Sequence, residues 1–433
     1  MKERTPRIRY LCLEKGDVFR TLNLPNDFII GLDTMAMTTN KSLSGFRDIP
    51  PGAHFLWVQQ PGGVSRCGYW FVTGTSGRLR VKQWERYNEV LGEAGNANVD
   101  LEALYPTLQP YDLGRQETIT SHPLLTPSKD MRPDWAQSPL LLWRTLTSAI
   151  STKFIAKLTG KADTNEYFVD SMDSAPGSNN ELLFLFTQDL GDLQLLDRGP
   201  LHSRVSDTSP RILTLLEKSN DSNRNIITEQ DILAELQFTF LTGTNLNNPS
   251  CIEYWWSLVL KIVLRAYTLP LSRPTLARDI VQTLYAQLLF AEEHVGSSSQ
   301  ELEQTQSGQG IGGGIRDGPS SESVVFQFEP RKKMRLRSAL VEYKRRLGET
   351  LEGLGEKITA EQRAVGRAFE ELESWLWRCG WDLRGEGKTE DKYGKEDGDG
   401  DVDVGDSEDE DDQPMVVELD EEGREVGLVS FRD

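Results

Sequence analysis

Ile49-Pro50-Pro51-Gly52-Ala53-His54-Phe55 decides how this chain is read. Pro50 and Pro51 each fix φ and Gly52 supplies backbone freedom, so the heptapeptide sets a rigid turn. An apolar run, His54–Gln59, follows at once and reads as a strand. Phe55 and Trp57 alternate onto one face of it. Upstream stand Pro25, Gly31-Leu32-Asp33 and Gly45-Phe46.

Outward from that element, residues 7–113 read as a β-rich domain. Arg7–Leu13, Asp17–Asn23, Phe28–Leu32, Tyr69–Thr73 and Leu79–Arg86 are short runs of branched and aromatic residues. Pro61-Gly62-Gly63 and Gly74 to Gly77 punctuate them. Short strands with frequent turns predict an antiparallel sandwich or barrel. Residues 114–139, with Pro123, Pro127, Pro133 and Pro139, read as a linker.

Residues 140–381 then read as an all-α domain. Leu142, Leu146, Ile150, Phe154 and Leu158 recur every four residues and predict one helix over Leu140–Leu158. Glu229–Leu241 repeats the pattern with Ile232, Leu233, Leu236 and Phe240. Pro249 suits a helix start before Cys251–Tyr267, and Ala277–His294 follows. Residues 296–323, rich in Ser, Gln and Gly, predict a disordered insert. Leu336, Leu340, Tyr343, Leu347, Leu351 and Leu354 give the next helix a narrow apolar seam. Thr359-Ala360-Glu361-Gln362 is a capping box for a further helix, with Val365, Phe369, Leu372, Leu376 and Cys379 inward. The fold class is therefore α+β and multidomain, a β-rich unit followed by a helical one.

The chain ends differently. Residues 382–413 are acidic and predict a disordered linker, and residues 414–433 regain strand character. Formal net charge is −19 over 433 residues. From Arg384 onward twenty acidic residues face six basic ones, so most of that charge sits in the tail. The body is left mildly acidic and free to bind phosphate backbones or not. Cys12, Cys67, Cys251 and Cys379 are scattered without a C-x-x-C, which fits free thiols in a reducing compartment. The start lacks a signal-peptide pattern, and no 18-residue apolar run exists to span a membrane. An intracellular, soluble protein is expected.

Little in the chain points to catalysis. Gly308-Gln309-Gly310-Ile311-Gly312-Gly313 matches G-x-G-x-x-G, but the flanks are polar linker rather than strand and helix. His54, His122, His202 and His294 are too dispersed for a metal site, and no cofactor motif is present. His54 is expected to pack beside the turn and bond a loop carbonyl, with catalysis the weaker alternative. Asp33 is expected to organise the loop before Phe46 rather than act as a base. Arg331, Lys332, Lys333, Arg335, Arg337, Lys344, Arg345 and Arg346 place eight cations in one helix. A solvated face, a nuclear-import signal and an RNA phosphate contact compete to explain them.

The pattern from Pro25 through Gly31-Leu32-Asp33 and Gly45-Phe46 to Ile49–Phe55 resembles the A1 cistron splicing factor family. Trp143-Arg144-Thr145-Leu146-Thr147, Glu235–Phe240, Tyr254-Trp255-Trp256 and Leu284–Leu288 are similar to later segments of that family. Thr34–Ser44 departs from it, lacking a tryptophan and a Gly-Pro before Phe46. The resemblance implies a β-rich domain joined to a VHS-like helical domain. It also implies a non-enzymatic assembly factor of the U5 snRNP, in cytoplasm and nucleus and monomeric alone. Such a factor would bind the RNase H-like and Jab/MPN domains of the large spliceosomal scaffold, holding helicase and RNA away. A trafficking adaptor with a VHS-like domain is the alternative, and a hydrolase on the β-rich domain a further rival.

Within the tail, Val417, Leu419, Val426, Leu428 and Phe431 form two short apolar stretches after the acidic leader. Two strands alone are marginal in water, so they are expected to add to a partner's sheet edge or to fold back on their own sandwich. Ser407, inside Asp406-Ser407-Glu408-Asp409-Glu410, suits acid-directed phosphorylation. If the tail docks near Arg331–Arg346, that phosphate would tighten the contact and withdraw the tail from its partner.

Overall fold

The computed structural model describes residues 13–40, 43–63, 66–94, 100–113, 133–161, 166–175, 180–197, 207–221, 226–295 and 330–384. Ten strands are described: β1 (Asp17–Leu22), β2 (Ile29–Leu32), β3 (Met35–Thr38), β4 (Gly45–Ile49), β5 (Gly52–Gln59), β6 (Arg66–Thr73), β7 (Leu79–Glu85), β8 (Val90–Glu93), β9 (Gln109–Pro110) and β10 (Glu166–Asp170). They form two five-stranded sheets, ordered β8-β7-β1-β4-β9 and β10-β6-β5-β2-β3. The second is antiparallel throughout. The first is mixed, because β1–β7 and β4–β9 run parallel. Parallel neighbours need a long crossover, and here the other sheet supplies it. The antiparallel expectation therefore holds for one sheet only.

The helices are α1 (Leu101–Leu104), α2 (Pro139–Leu146), α3 (Thr152–Thr159), α4 (Thr187–Asp197), α5 (Ser209–Asp221), α6 (Glu229–Leu246), α7 (Pro249–Ser257), α8 (Leu269–Ser272), α9 (Pro274–Phe290), α10 (Pro330–Leu354) and α11 (Ala360–Arg378). After α7 the chain continues as a π turn over Leu258–Ile262 and a 3-10 turn over Val263–Arg265.

Sheet β10-β6-β5-β2-β3 is the middle of three layers. His54 and Phe71 look toward the other sheet, where Phe71 meets Phe19 of β1 at 5.3 Å between ring centres. Phe55 and Trp70 look the opposite way, toward the helices. Trp70 packs on Trp143 of α2 and Phe238 of α6. Its indole N–H donates to Thr242 Oγ1 at 3.0 Å, and that of Trp143 donates to Ala53 O at 2.9 Å. Cover on both faces explains why β5 reads as an unbroken apolar run. It also joins the two halves, since one cluster of buried side chains runs through both.

Two expectations need correction. The stretch read as all-α contains β10, which pairs Glu166–Asp170 against Cys67–Phe71. The predicted helix over Leu140–Leu158 is two helices, although Leu142, Leu146, Ile150, Phe154 and Leu158 are all buried as expected. Ser151 caps the second through Phe154 N at 3.2 Å, and Gln237 Oε1 of α6 takes the Ala149 amide at 3.0 Å. Local caps and a buried acceptor outcompete continued helix there.

Candidate functional site

The Pro-Pro-Gly turn joins β4 to β5 and is fastened from below by Asp33, the residue after β2. Asp33 adopts a left-handed backbone, φ 57°, which aims its side chain under β5. Asp33 Oδ1 accepts the Phe55 amide at 2.8 Å, and Oδ2 accepts Tyr111 Oη–H at 2.6 Å. His54 Nδ1 lies 2.6 Å from the same Oδ2, while Nε2 lies 2.8 Å from Pro50 O. Thr73 Oγ1 also donates to Pro50 O, at 2.5 Å. Both ring nitrogens of His54 thus face oxygen atoms of the turn and its fastening carboxylate. His54 and Asp33 are buried.

This geometry fastens a turn. A general base needs a ring nitrogen that reaches substrate, and here one nitrogen is taken by a carboxylate and the other by a carbonyl. The packed histidine and its loop carbonyl match the sequence reading. The role read for Asp33 changes: its carboxylate gathers β5 and Tyr111 rather than ordering the loop before Phe46. Burial, then Asp33, pushes the Tyr111 phenol far above its ordinary range. Gly52 has φ +146°, a conformation that favours glycine. Gly31 has no such φ, but a Cβ there would lie 2.1 Å from the Trp57 indole.

A chain of charges runs between the two sheets. Arg80 Nε meets Asp17 Oδ2 at 3.0 Å, and its NH1 meets Glu166 Oε1 at 2.8 Å. Lys82 Nζ meets Glu166 Oε2 at 2.9 Å and also pairs with Glu93. Arg80 lies over the Phe71 ring and Lys82 over Tyr69. Burial raises the Glu166 carboxyl, but bonds and charge from Lys82 and Arg80 hold it below its ordinary value. Sequence reasoning missed this network. The signal was Arg80, Lys82 and Trp84 on one side of β7, cations at the spacing of an inward face.

The basic residues of α10 are largely engaged within the body. Lys332 pairs with Glu253, and Lys344 with Glu373 at 2.6 Å. Arg345 and Arg346 pair with Glu342 and Glu349. Arg337 donates to Asp382 O. Those bonds favour the solvated, ion-paired helix face among the three readings. Cys67 and Cys251 are buried free thiols, and burial pushes Cys67 up to about 11. Among the described residues no cluster of His, Cys, Asp and Glu could hold a metal, and no helix is long and apolar enough to cross a membrane. Ser407, Val417, Leu419, Val426, Leu428 and Phe431 lie outside the described residues, as do His122, His202 and Gly308–Gly313.

Comparison with known proteins finds two family matches along the chain. The AAR2 N-terminal domain model matches residues 15–160, and the AAR2 C-terminal repeat region model matches residues 201–384. The first match runs past the expected boundary at 113 and takes in α2 and α3. The chain is 22% identical over 301 residues to the protein AAR2 homolog of Macaca fascicularis, covering 63% of this chain and 76% of that protein. With both models laid along the three-layer body, the chain belongs to the AAR2 family, the A1 cistron splicing factors.

Proposed function

We propose that this chain is a non-enzymatic assembly factor of the U5 snRNP. It binds the RNase H-like and Jab/MPN domains of the large spliceosomal scaffold and holds helicase and RNA off until assembly is complete. Family membership carries the coarse part, a splicing-related assembly role with a spliceosomal snRNP partner. The finer part rests on the resemblance read from Ile49–Phe55 and the helical segments. The helical half is read as VHS-like, and the protein as a monomer shared between cytoplasm and nucleus. The bonds of Asp33 and His54 within the turn support a structural use of both residues.

In this reading the tail adds a second contact to the scaffold through Val417, Leu419, Val426, Leu428 and Phe431, and Ser407 regulates it. Two weak contacts on one chain gain ~10²–10⁴ over either alone. Calorimetry of the full chain against the RNase H-like and Jab/MPN domains, singly and joined, tests this. Binding to the joined domains should weaken at least tenfold, roughly 1.4 kcal/mol, on deletion of residues 414–433. No binding by the full chain sinks the assembly reading, whereas an unchanged affinity after deletion sinks only the tail's part. Coat proteins in place of the scaffold among copurifying partners would favour the trafficking adaptor.

A further inference from the structure

Residues 180–186 cross α3, α6 and α7 as a strap without helix or strand over 180–184. Leu182 N donates to Ser174 Oγ and Leu183 N to Leu158 O, each at 2.8 Å. The next two amides end on side chains. Leu185 N donates to Glu235 Oε2 at 2.6 Å, and Phe186 N to Tyr254 Oη at 3.0 Å. Tyr254 Oη–H donates to Glu235 Oε1 at 2.6 Å, and Phe184 stacks on the Tyr254 ring at 4.1 Å. Leu183 is 57% exposed, Leu182 and Phe186 anchor the strap in the core, and Glu235 beneath it is 0% exposed, so the strap is a thin cover over a buried acid.

Asp17 and Glu166, the buried carboxylates of the inter-sheet network, each have an Arg or Lys, but among the described residues Glu235 faces only a phenol and backbone amides. The charged groups around it do not offset its charge. Asp231, one turn earlier on α6, repels it and is engaged by Lys157 of α3 at 3.4 Å. Asp189 of α4 bears on Tyr254 and is paired with Arg211 of α5 at 3.1 Å. Glu181 on the strap is exposed. A buried carboxylate without a counter-charge either holds a proton or seeks water.

We propose that the 180–186 strap is a proton-dependent latch, closed while Glu235 carries a proton and lifted when Glu235 ionises and takes up water. The protonated form keeps the strap's bonds. Glu235 Oε1–H then donates to the Tyr254 oxygen in place of the bond that it accepted from the Tyr254 hydroxyl, that oxygen keeps a lone pair for Phe186 N–H, and Oε2 still accepts Leu185 N–H. Burial, against the bonds from Tyr254, Leu185 and Phe186, pushes the Glu235 carboxyl from 4.5 to about 7. Lifting the strap wets the group and returns it toward 4.5. The closed form therefore binds the proton more tightly, and opening grows as pH rises toward and through 7. The latch goes beyond the assembly role and does not depend on it.

Amide hydrogen exchange of the full chain at pH 6, 7 and 8, corrected for intrinsic rates, reads the opening. Leu185 and Phe186 should open about tenfold more at pH 8 than at pH 6, relative to amides of β5. Glu235→Gln, which cannot ionise, should flatten that dependence. Tyr254→Phe keeps the carboxylate but removes its hydroxyl donor, so its pH dependence should move to higher pH, while Phe186 loses protection. A flat profile in the parent overturns the latch. So does a Glu235→Gln variant with the parent's slope, or an unmoved profile in Tyr254→Phe.

Discussion

Phe55 shows what one side chain does in the middle layer. It is 0% exposed, meets Trp70 in a tilted ring contact at 4.8 Å, and its amide donates to Asp33. Phe55→Ala removes the ring from between β6 and the helices and leaves a cavity in a region covered on both sides. The expected loss is ~3–5 kcal/mol in urea unfolding, with the slope of the transition unchanged. Asp33 makes a second case. Its carboxylate serves Phe55 N, Tyr111 and His54 together, so Asp33→Ala leaves the buried Phe55 amide and the Tyr111 hydroxyl without their acceptor. A loss of about 1–3 kcal/mol for each orphaned donor is expected in the same measurement.

At the scale of elements, β10 is fixed by charge as well as by its ladder to β6. Glu166 is its contribution to the inter-sheet network, and Lys82 and Arg80 hold that carboxyl below its ordinary 4.5. Its ionised form is the bonded one. The stabilisation is present above 4.5 and is lost as pH falls through the lower folded value. Melting temperature between pH 3 and 6 should therefore drop steeply at the acid end, and Glu166→Gln should lower the plateau and soften that drop. Among the elements, β1, β5 and β7 were legible because alternation or an unbroken apolar run is local information. The capping box at Thr359–Gln362 was legible for the same reason and is present with both of its bonds. By contrast β3, β4, β8 and β10 have four or five residues each, and most of what makes them strands lies on distant neighbours. In the fastened turn, the His54 bond to a carbonyl could be read from Pro50-Pro51-Gly52. Tyr111 and Thr73 could not, because 78 and 23 residues separate them from the atoms that they bond.

For the whole molecule, the shared core decides how it comes apart. Trp70 of the middle sheet is held by Trp143, Phe238 and Thr242. Arg66 of β6 donates to Asn245 O at the end of α6, and Asn248 Nδ2 donates to Asp170 O and Asp173 O beside β10, both at 3.0 Å. Neither half can unfold without stripping the other of buried aromatic surface. Calorimetry should show a single transition for the β-rich and helical halves, with equal calorimetric and van't Hoff enthalpies. Two separated transitions would count against a shared core.

The late arrival of β10 has a consequence for birth on the ribosome. The strand that completes the middle sheet is made after three helices, and the helix that covers Trp70 is made later still. At roughly 5–20 residues per second, Trp70 waits about ten to thirty seconds for Phe238 and Thr242 to be synthesised. Until β10 is made the nascent sheet presents an unpaired β6 edge, and until α6 is made it presents Phe55 and Trp70. Open strand edges and exposed aromatic rings are what holding chaperones bind. The chain is therefore expected to draw a holding chaperone while it is being made.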